Sequence, residues 1–108
     1  MKIIKLQLDY LQGPIWMSNV DTGKPLTGID IIDNDEEIRK INKKIADLFN
    51  DYYEFDFNGQ PCQFNEKKER EEKCIMLSLL QQLTDRLNSI NDGSYIVEDN
   101  LTNYYKNL

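Results

Sequence analysis

Polar and apolar residues alternate along the first ten positions of the chain. Apolar side chains occupy every second place, at Ile4, Leu6, Leu8 and Tyr10. In an extended chain, side chains two positions apart point to the same face, so this spacing predicts a β-strand with one apolar face. We expect the strand to cover residues 2 to 10.

Two shorter apolar groups follow the first strand. Residues 15 to 17, after the break at Gly13 and Pro14, predict a short second strand, and the turn-forming residues 19 to 23 predict a loop. Residues 29 to 32 carry three isoleucines beside aspartates. This β-branched group favours either a third strand or the lead-in to a helix, and both alternatives stay open.

From residue 34 the spacing of the apolar residues changes to three and four, which is typical of a helix with one buried face. This first stripe consists of Ile38, Ile41, Ile45, Leu48, Phe49 and Tyr52. It predicts a helix from about residue 35 to residue 50. Asn34, with Glu37 three positions later, has the spacing of a capping box.

A second helical stripe follows the charged run of residues 65 to 73. It consists of Met76, Leu79, Leu80, Leu83, Leu87 and Ile90, and it predicts a long helix. Asp92 and Gly93 supply a stop signal. The β-branched and aromatic residues 95 to 97 then predict a final strand, and residues 101 to 108 predict a short terminal helix.

Aromatic residues between the two helices alternate with Glu54 and Asp56, and Asn58-Gly59 is a dipeptide typical of tight hairpin turns. We therefore expect a hairpin that returns over residues 60 to 64, with Pro61 in an edge strand. Together these elements predict the fold class. It is a single α+β domain over residues 1 to 108, in which a small antiparallel sheet packs against two amphipathic helices.

Composition narrows the possible functions. Thirteen Lys and Arg against nineteen Asp and Glu give a formal net charge of -6, so nucleic acid and anionic membrane surfaces repel the protein and a basic partner is favoured. The chain has no histidine, the usual general base near neutral pH. Because we find no apolar run long enough to span a membrane and no secretory signal, we expect a cytoplasmic protein. We expect its two cysteines, Cys62 and Cys74, to be free thiols.

Acidic residues could also serve a metal ion or catalysis. Counted from Asp33, a calcium loop would need glycine where Ile38 stands and glutamate where Lys44 stands, so this segment does not match a calcium loop. Glu54 and Asp56 share one strand face and could act as an acid and base pair, although a solvated strand face has the same pattern. We expect no enzyme activity, no catalytic residue, no metal, no cofactor and no small-molecule substrate.

The acidic charge is concentrated in residues 21 to 60, which hold ten acidic residues against five basic ones. Aromatic side chains beside carboxylates suit docking on a basic protein surface. We predict two partner-binding patches: an acidic edge of Asp30, Asp33, Asp35, Glu36 and Glu37, and an aromatic and acidic patch of Asp51, Tyr53, Glu54 and Asp56. The alternative is that the aromatic residues belong to the core and the acids only keep the protein soluble.

Four segments, taken together, carry a resemblance to a known class of proteins: LDYLQGPIW, DTGKPLTGIDIIDND, YYEFDFNGQPCQFN and LNSINDGSYIVEDN. They resemble an immunity protein of a bacterial contact-dependent growth inhibition system. The resemblance implies a cytosolic antitoxin that binds and neutralises the C-terminal toxin domain of a cognate effector. Many such toxins are nucleases with a basic surface that an acidic inhibitor would cover, and others act on membranes.

Two other functions remain open at the level of the residues. One is an acidic regulatory adaptor that binds a housekeeping protein. The other is a small enzyme that uses carboxylates, which would need a pocket in which carboxylates with shifted pKa values converge.

Overall fold

A computed structural model describes residues 2–8, 13–16, 18–19, 21–54 and 63–108. In these residues the chain forms four strands and five helices. In chain order they are β1 (Lys2–Leu6), α1 (Asp30–Asp33), α2 (Glu36–Asn50), β2 (Tyr53–Glu54), β3 (Gln63–Phe64), α3 (Glu66–Glu71), α4 (Lys73–Ser89), β4 (Tyr95–Asp99) and α5 (Thr102–Lys106).

The main strand pair is parallel. β1 pairs with β4, from Lys2 opposite Tyr95 to Leu6 opposite Asp99, so the predicted antiparallel sheet is wrong. Parallel strands need a long crossover connection, and the helices α1 to α4 all lie between β1 and β4 in the chain. The sequence pattern predicted both strands but not this pairing, because alternation along a strand carries no information about the direction of its neighbour.

A second, separate pair is antiparallel. β2 and β3 place Tyr53 opposite Phe64 and Glu54 opposite Gln63. They are the two ends of the predicted hairpin, whose turn and remaining residues, 55 to 62, lie outside the described residues. Among the described residues, this pair does not join β1 and β4.

The N-terminal region differs from its prediction in extent. β1 ends at Leu6 instead of residue 10, and residues 9 and 10 lie outside the described part of the chain. Of the expected second strand, Ile15 forms an isolated bridge to Leu6. The isoleucine group at residues 29 to 32 enters the short helix α1, so the helical alternative is confirmed.

Both long helices form where the apolar stripes predicted them. α2 begins one residue later than the capping box implied, because Asp35, not Asn34, is its N-cap and accepts a hydrogen bond from the amide of Ile38 at 2.9 Å. Asn34 instead ends α1. The charged run before α4 forms α3, which was not predicted and which Asn65 caps.

The core lies between α2 and α4 and is closed by β1, β4 and α5. Each of the two stripes contributes most of its residues, and the strands add Ile4, Leu6 and Tyr95. Tyr52 is fully buried, whereas Tyr53 and Phe64 are half-buried against the same cluster. The interpretation of the aromatic residues as core residues is therefore right for Tyr52 but incomplete for Tyr53.

A buried asparagine holds the loop after β1 against α2. The Asn42 side chain is fully buried, and its Nδ2 donates to Ser18 Oγ and to the carbonyl of Gly23, each at 2.8 Å. Its Oδ1 accepts from the amide of Ile15 at 3.1 Å. These three bonds satisfy polar groups that would otherwise be costly to bury.

Candidate functional site

The acidic edge lies around α1 and the first turn of α2. Its member Asp33 is engaged inside the fold. Asp33 Oδ1 accepts from the amide and the hydroxyl of Thr27, at 3.0 and 2.7 Å, and Oδ2 accepts from the amide of Gly28 at 2.9 Å. Because its oxygens hold the loop before α1, Asp33 has a structural role.

Asp35 is also engaged. Besides capping α2, its carboxylate accepts from Arg86 in the last turn of α4, with Nη2 at 2.7 Å and Nε at 3.1 Å from Oδ2. Burial on its own would raise the pKa of Asp35. The hydrogen bonds from Arg86 and Ile38 and the charge of Arg86 outweigh burial, so the pKa lies below its ordinary value of 3.8.

The other three acids of the edge, Asp30, Glu36 and Glu37, are exposed. None of them forms an ion pair within the described residues. Glu36 shares a small pocket of about 170 Å³ with Lys24 and Arg39. The acidic edge therefore consists of two structural carboxylates, which fix the junction of α1 and α2, and three exposed ones that the junction presents to solvent.

The aromatic and acidic patch lies at the opposite end of α2. Asp51 is exposed and follows the last residue of the helix, and Tyr53 is half-buried in β2. Glu54 is described only in its backbone, and Asp56 lies outside the described residues. With 15 residues, α2 is about 22 Å long, so the structure does not bring the two predicted patches together.

Tyr53 lines a pocket of about 360 Å³, here called the aromatic pocket. Phe49, Tyr53 and Phe64 form one wall, with ring centroids 5.0 to 5.7 Å apart. Tyr104 of α5 also lines the pocket, and among the described residues that line it Glu69 of α3 is the charged one. Five elements, α2, β2, β3, α3 and α5, thus converge there, and α5 comes from the far end of the chain.

Glu69 is only 2% exposed. Its Oε1 accepts from the hydroxyl of Tyr104 at 2.8 Å and its Oε2 accepts from the hydroxyl of Tyr105 at 3.0 Å. Within the described residues, no lysine or arginine forms an ion pair with it. Glu69 is therefore a buried carboxylate with two neutral donors.

The phenols around Glu69 titrate at unusually high pH. Burial, followed by the hydrogen bond to Glu69, raises the pKa of Tyr104 to about 12. Burial and the charge of Glu69 raise the pKa of Tyr105 as well, and burial with the charges of Glu72 and Glu69 raises that of Tyr52. The phenols therefore stay protonated at neutral pH, where they can donate hydrogen bonds to carboxylates.

Glu69, Tyr104 and Tyr105 were not among the site residues predicted from the sequence. Glu69 was counted only as part of the charged run of residues 65 to 73, yet the sequence contained one signal of its burial. It stands seven residues before Met76, which itself stands seven before Leu83, so the buried stripe of α4 extends back to it. The two tyrosines gave no such signal, because the short α5 contains too few residues to show a period.

The described residues contain no group of three His, Cys, Asp or Glu that could hold a metal ion. No helix in the same part of the chain has the length and apolar character needed to cross a membrane. Cys74 is exposed and unpaired, while Cys62 lies outside the described residues.

Comparisons with protein-family models, with curated proteins and with solved structures give no match.

Proposed function

We propose that this protein is a non-catalytic immunity protein of the cytoplasm. It binds the C-terminal toxin domain of a contact-dependent inhibition effector and neutralises it by covering a basic active-site or substrate-binding surface, as expected for a nuclease. The resemblance noted in the sequence indicates the class of partner. The negative net charge of the chain favours a partner with a positively charged surface.

One observation carries this proposal: the division of the acidic edge into structural and exposed carboxylates. The carboxylates of Asp33 and Asp35 accept hydrogen bonds from other parts of the fold. Asp30, Glu36 and Glu37 are exposed on the backbone that these bonds hold in place. Fixed surface charges of one sign attract a partner of the opposite sign before contact and raise the association rate.

The aromatic pocket is a second feature that suits protein binding. Aromatic side chains are enriched at interface centres, where they contribute large contact areas. Tyr104 is 49% exposed at this pocket, and Tyr53 and Phe64 are half-buried. A partner could bury the remaining ring surface.

Co-expression with the protein encoded immediately upstream tests the proposal. We expect the cells to survive and a stable complex to be recovered, with an association rate that falls as salt concentration rises. The same chain co-expressed with a non-cognate toxin domain serves as the control and should not protect. If the cells do not survive and no complex is recovered, the immunity function is rejected and the regulatory adaptor is favoured. The adaptor predicts a partner in cells that lack the upstream gene.

A further inference from the structure

The aromatic pocket combines apolar walls with an unneutralised negative charge. Glu69 is the charged side chain among the described residues that line it. Two phenols solvate this carboxylate through hydrogen bonds, but neutral donors do not cancel its charge. Removing a carboxylate from water is costly unless a cation or sufficient donors replace the water.

The carboxylate also has unused capacity to accept hydrogen bonds. An ionised carboxyl group offers about four acceptor positions, and the hydroxyls of Tyr104 and Tyr105 occupy one on each oxygen of Glu69. A donor that enters the pocket could therefore reach Glu69 without displacing either tyrosine.

The aromatic walls of the pocket also favour a cationic group. The face of an aromatic ring carries partial negative charge, and it attracts a cation within about 6 Å of the ring centre. Phe49, Tyr53 and Phe64 are mutually in contact on one wall. Tyr104 is half-exposed while its hydroxyl contacts Glu69, so its ring extends from solvent to the buried carboxylate.

We propose that the aromatic pocket is the anchoring site for a cationic side chain, in first place arginine, supplied by the protein partner. The inference rests on the proposed function for the source of that side chain. A planar guanidinium group can stack on a ring and donate several hydrogen bonds to one carboxylate, whereas the ammonium group of lysine is more strongly hydrated. An anionic group would be repelled by Glu69, and a purely apolar group would leave its charge uncompensated.

A titration without the protein partner tests the site directly. The probes are N-acetyl-arginine amide, N-acetyl-lysine amide and N-acetyl-citrulline amide, the last being a neutral analogue of the first. We expect the arginine probe to shift the ring resonances of Tyr104, Tyr53 and Phe64 in NMR spectra, with affinity in the roughly millimolar range. We expect the lysine probe to bind more weakly and the citrulline probe at least about tenfold more weakly.

Variants identify which residues of the pocket contribute to binding of the arginine probe. Glu69→Gln keeps the shape of the side chain and removes its charge. Tyr104→Leu removes a half-exposed ring together with one hydrogen-bond donor to Glu69, and because Tyr104 is half-exposed we expect this variant to fold even if the buried position does not tolerate glutamine. Each should weaken binding of the arginine probe about tenfold. Glu98→Gln, an exposed residue of β4 that does not line the pocket, changes the net charge equally and should leave the affinity unchanged.

Three results would overturn the inference: no ring shifts with the arginine probe, equal binding of arginine and citrulline probes, or unchanged affinity in Tyr104→Leu and folded Glu69→Gln. These outcomes are separate from failure of the proposed function. Survival on co-expression without binding of the probe would retain the immunity function and reject the cationic anchor. Binding of the probe without survival would retain the anchor and reject the immunity function.

Discussion

Arg86, in the last turn of α4, donates hydrogen bonds to Asp35, the residue that caps α2, across a sequence separation of 51 residues. One carboxylate therefore caps the N-terminus of α2 and binds the side chain of Arg86 in α4. This contact joins the two helices that form the core, and it lies beside the exposed acids Glu36 and Glu37.

Replacing Asp35 by alanine should destabilise the protein by about 1 kcal/mol through loss of the cap alone, with a further loss from the contact to Arg86. Asp35→Asn should cost less, because asparagine also caps helices well. Urea unfolding followed by circular dichroism measures both. Glu36→Gln, one residue further on and exposed, is the control and should stay close to the native value. Equal losses for alanine and asparagine would contradict a capping role.

The same contact makes stability depend on acid pH. The pKa of Asp35 is lower in the folded protein than its ordinary value of 3.8. Its stabilising effect is therefore fully present above about pH 4 and is lost as the pH falls through the folded pKa. The stability difference between the native protein and Asp35→Asn should shrink below pH 4 in urea unfolding at a series of pH values. A difference that stays constant down to pH 2 would be inconsistent with this assignment.

Tyr104 gives the corresponding effect at alkaline pH. Its pKa is raised from 10.0 to about 12, so it stabilises the fold below pH 10, and this contribution is lost as the pH rises through 12. Burial is the larger cause and persists in Glu69→Gln, so we expect that variant to lower the pKa of Tyr104 without restoring 10.0. Carbon-13 NMR of labelled tyrosine follows this titration. Glu98→Gln should leave the pKa as it is, and an unchanged value in Glu69→Gln would refute the role of Glu69.

The helices could be predicted from the sequence, whereas the contacts between distant elements could not. The stripes around Ile45 and Leu83 require only local periodicity, and both helices form as predicted. The parallel pairing of β1 with β4 depends on how the intervening helices pack, which no local pattern records. For the same reason α3, which has no apolar stripe of its own, was missed.

The candidate site likewise combines features that the sequence predicts with features that depend on contacts between distant elements. Exposure of Asp30, Glu36 and Glu37 follows from their position outside the helical stripe. The structural roles of Asp33 and Asp35 depend on partners at Thr27 and Arg86, which composition cannot identify. The aromatic pocket needs residues from α2, β2, β3, α3 and α5, so it exists only once the fold is formed.

Asn42 should be important for holding the loop after β1. In Asn42→Ala the amide of Ile15 loses its acceptor and the carbonyl of Gly23 loses its donor, and such buried unpaired groups cost about 1 to 3 kcal/mol. Urea unfolding is expected to show a loss of this size. Asn88→Ala, at an exposed position of α4, is the matched control and should change stability little. Equal effects of the two variants would contradict the anchoring role.

The exposed members of the acidic edge should set the rate at which the partner is captured. The triple variant Asp30→Asn, Glu36→Gln, Glu37→Gln removes three charges from the predicted surface. A control triple, Glu66→Gln, Glu71→Gln, Glu98→Gln, removes three exposed charges elsewhere, and none of its positions lines the aromatic pocket. Both variants have the same net charge, so any difference between them reports the position of the charges.

With the co-expressed toxin domain as partner, we expect the acidic-edge triple to lower the association rate about tenfold at low salt and to flatten its dependence on salt concentration. The dissociation rate should change less, because charges at the rim of an interface act mainly on encounter. Stopped-flow fluorescence over a salt series measures the association rate. If both triples slow association equally, only net charge matters and the acidic edge is not the docking surface; if the edge triple mainly speeds dissociation, these acids lie at the buried centre of the interface.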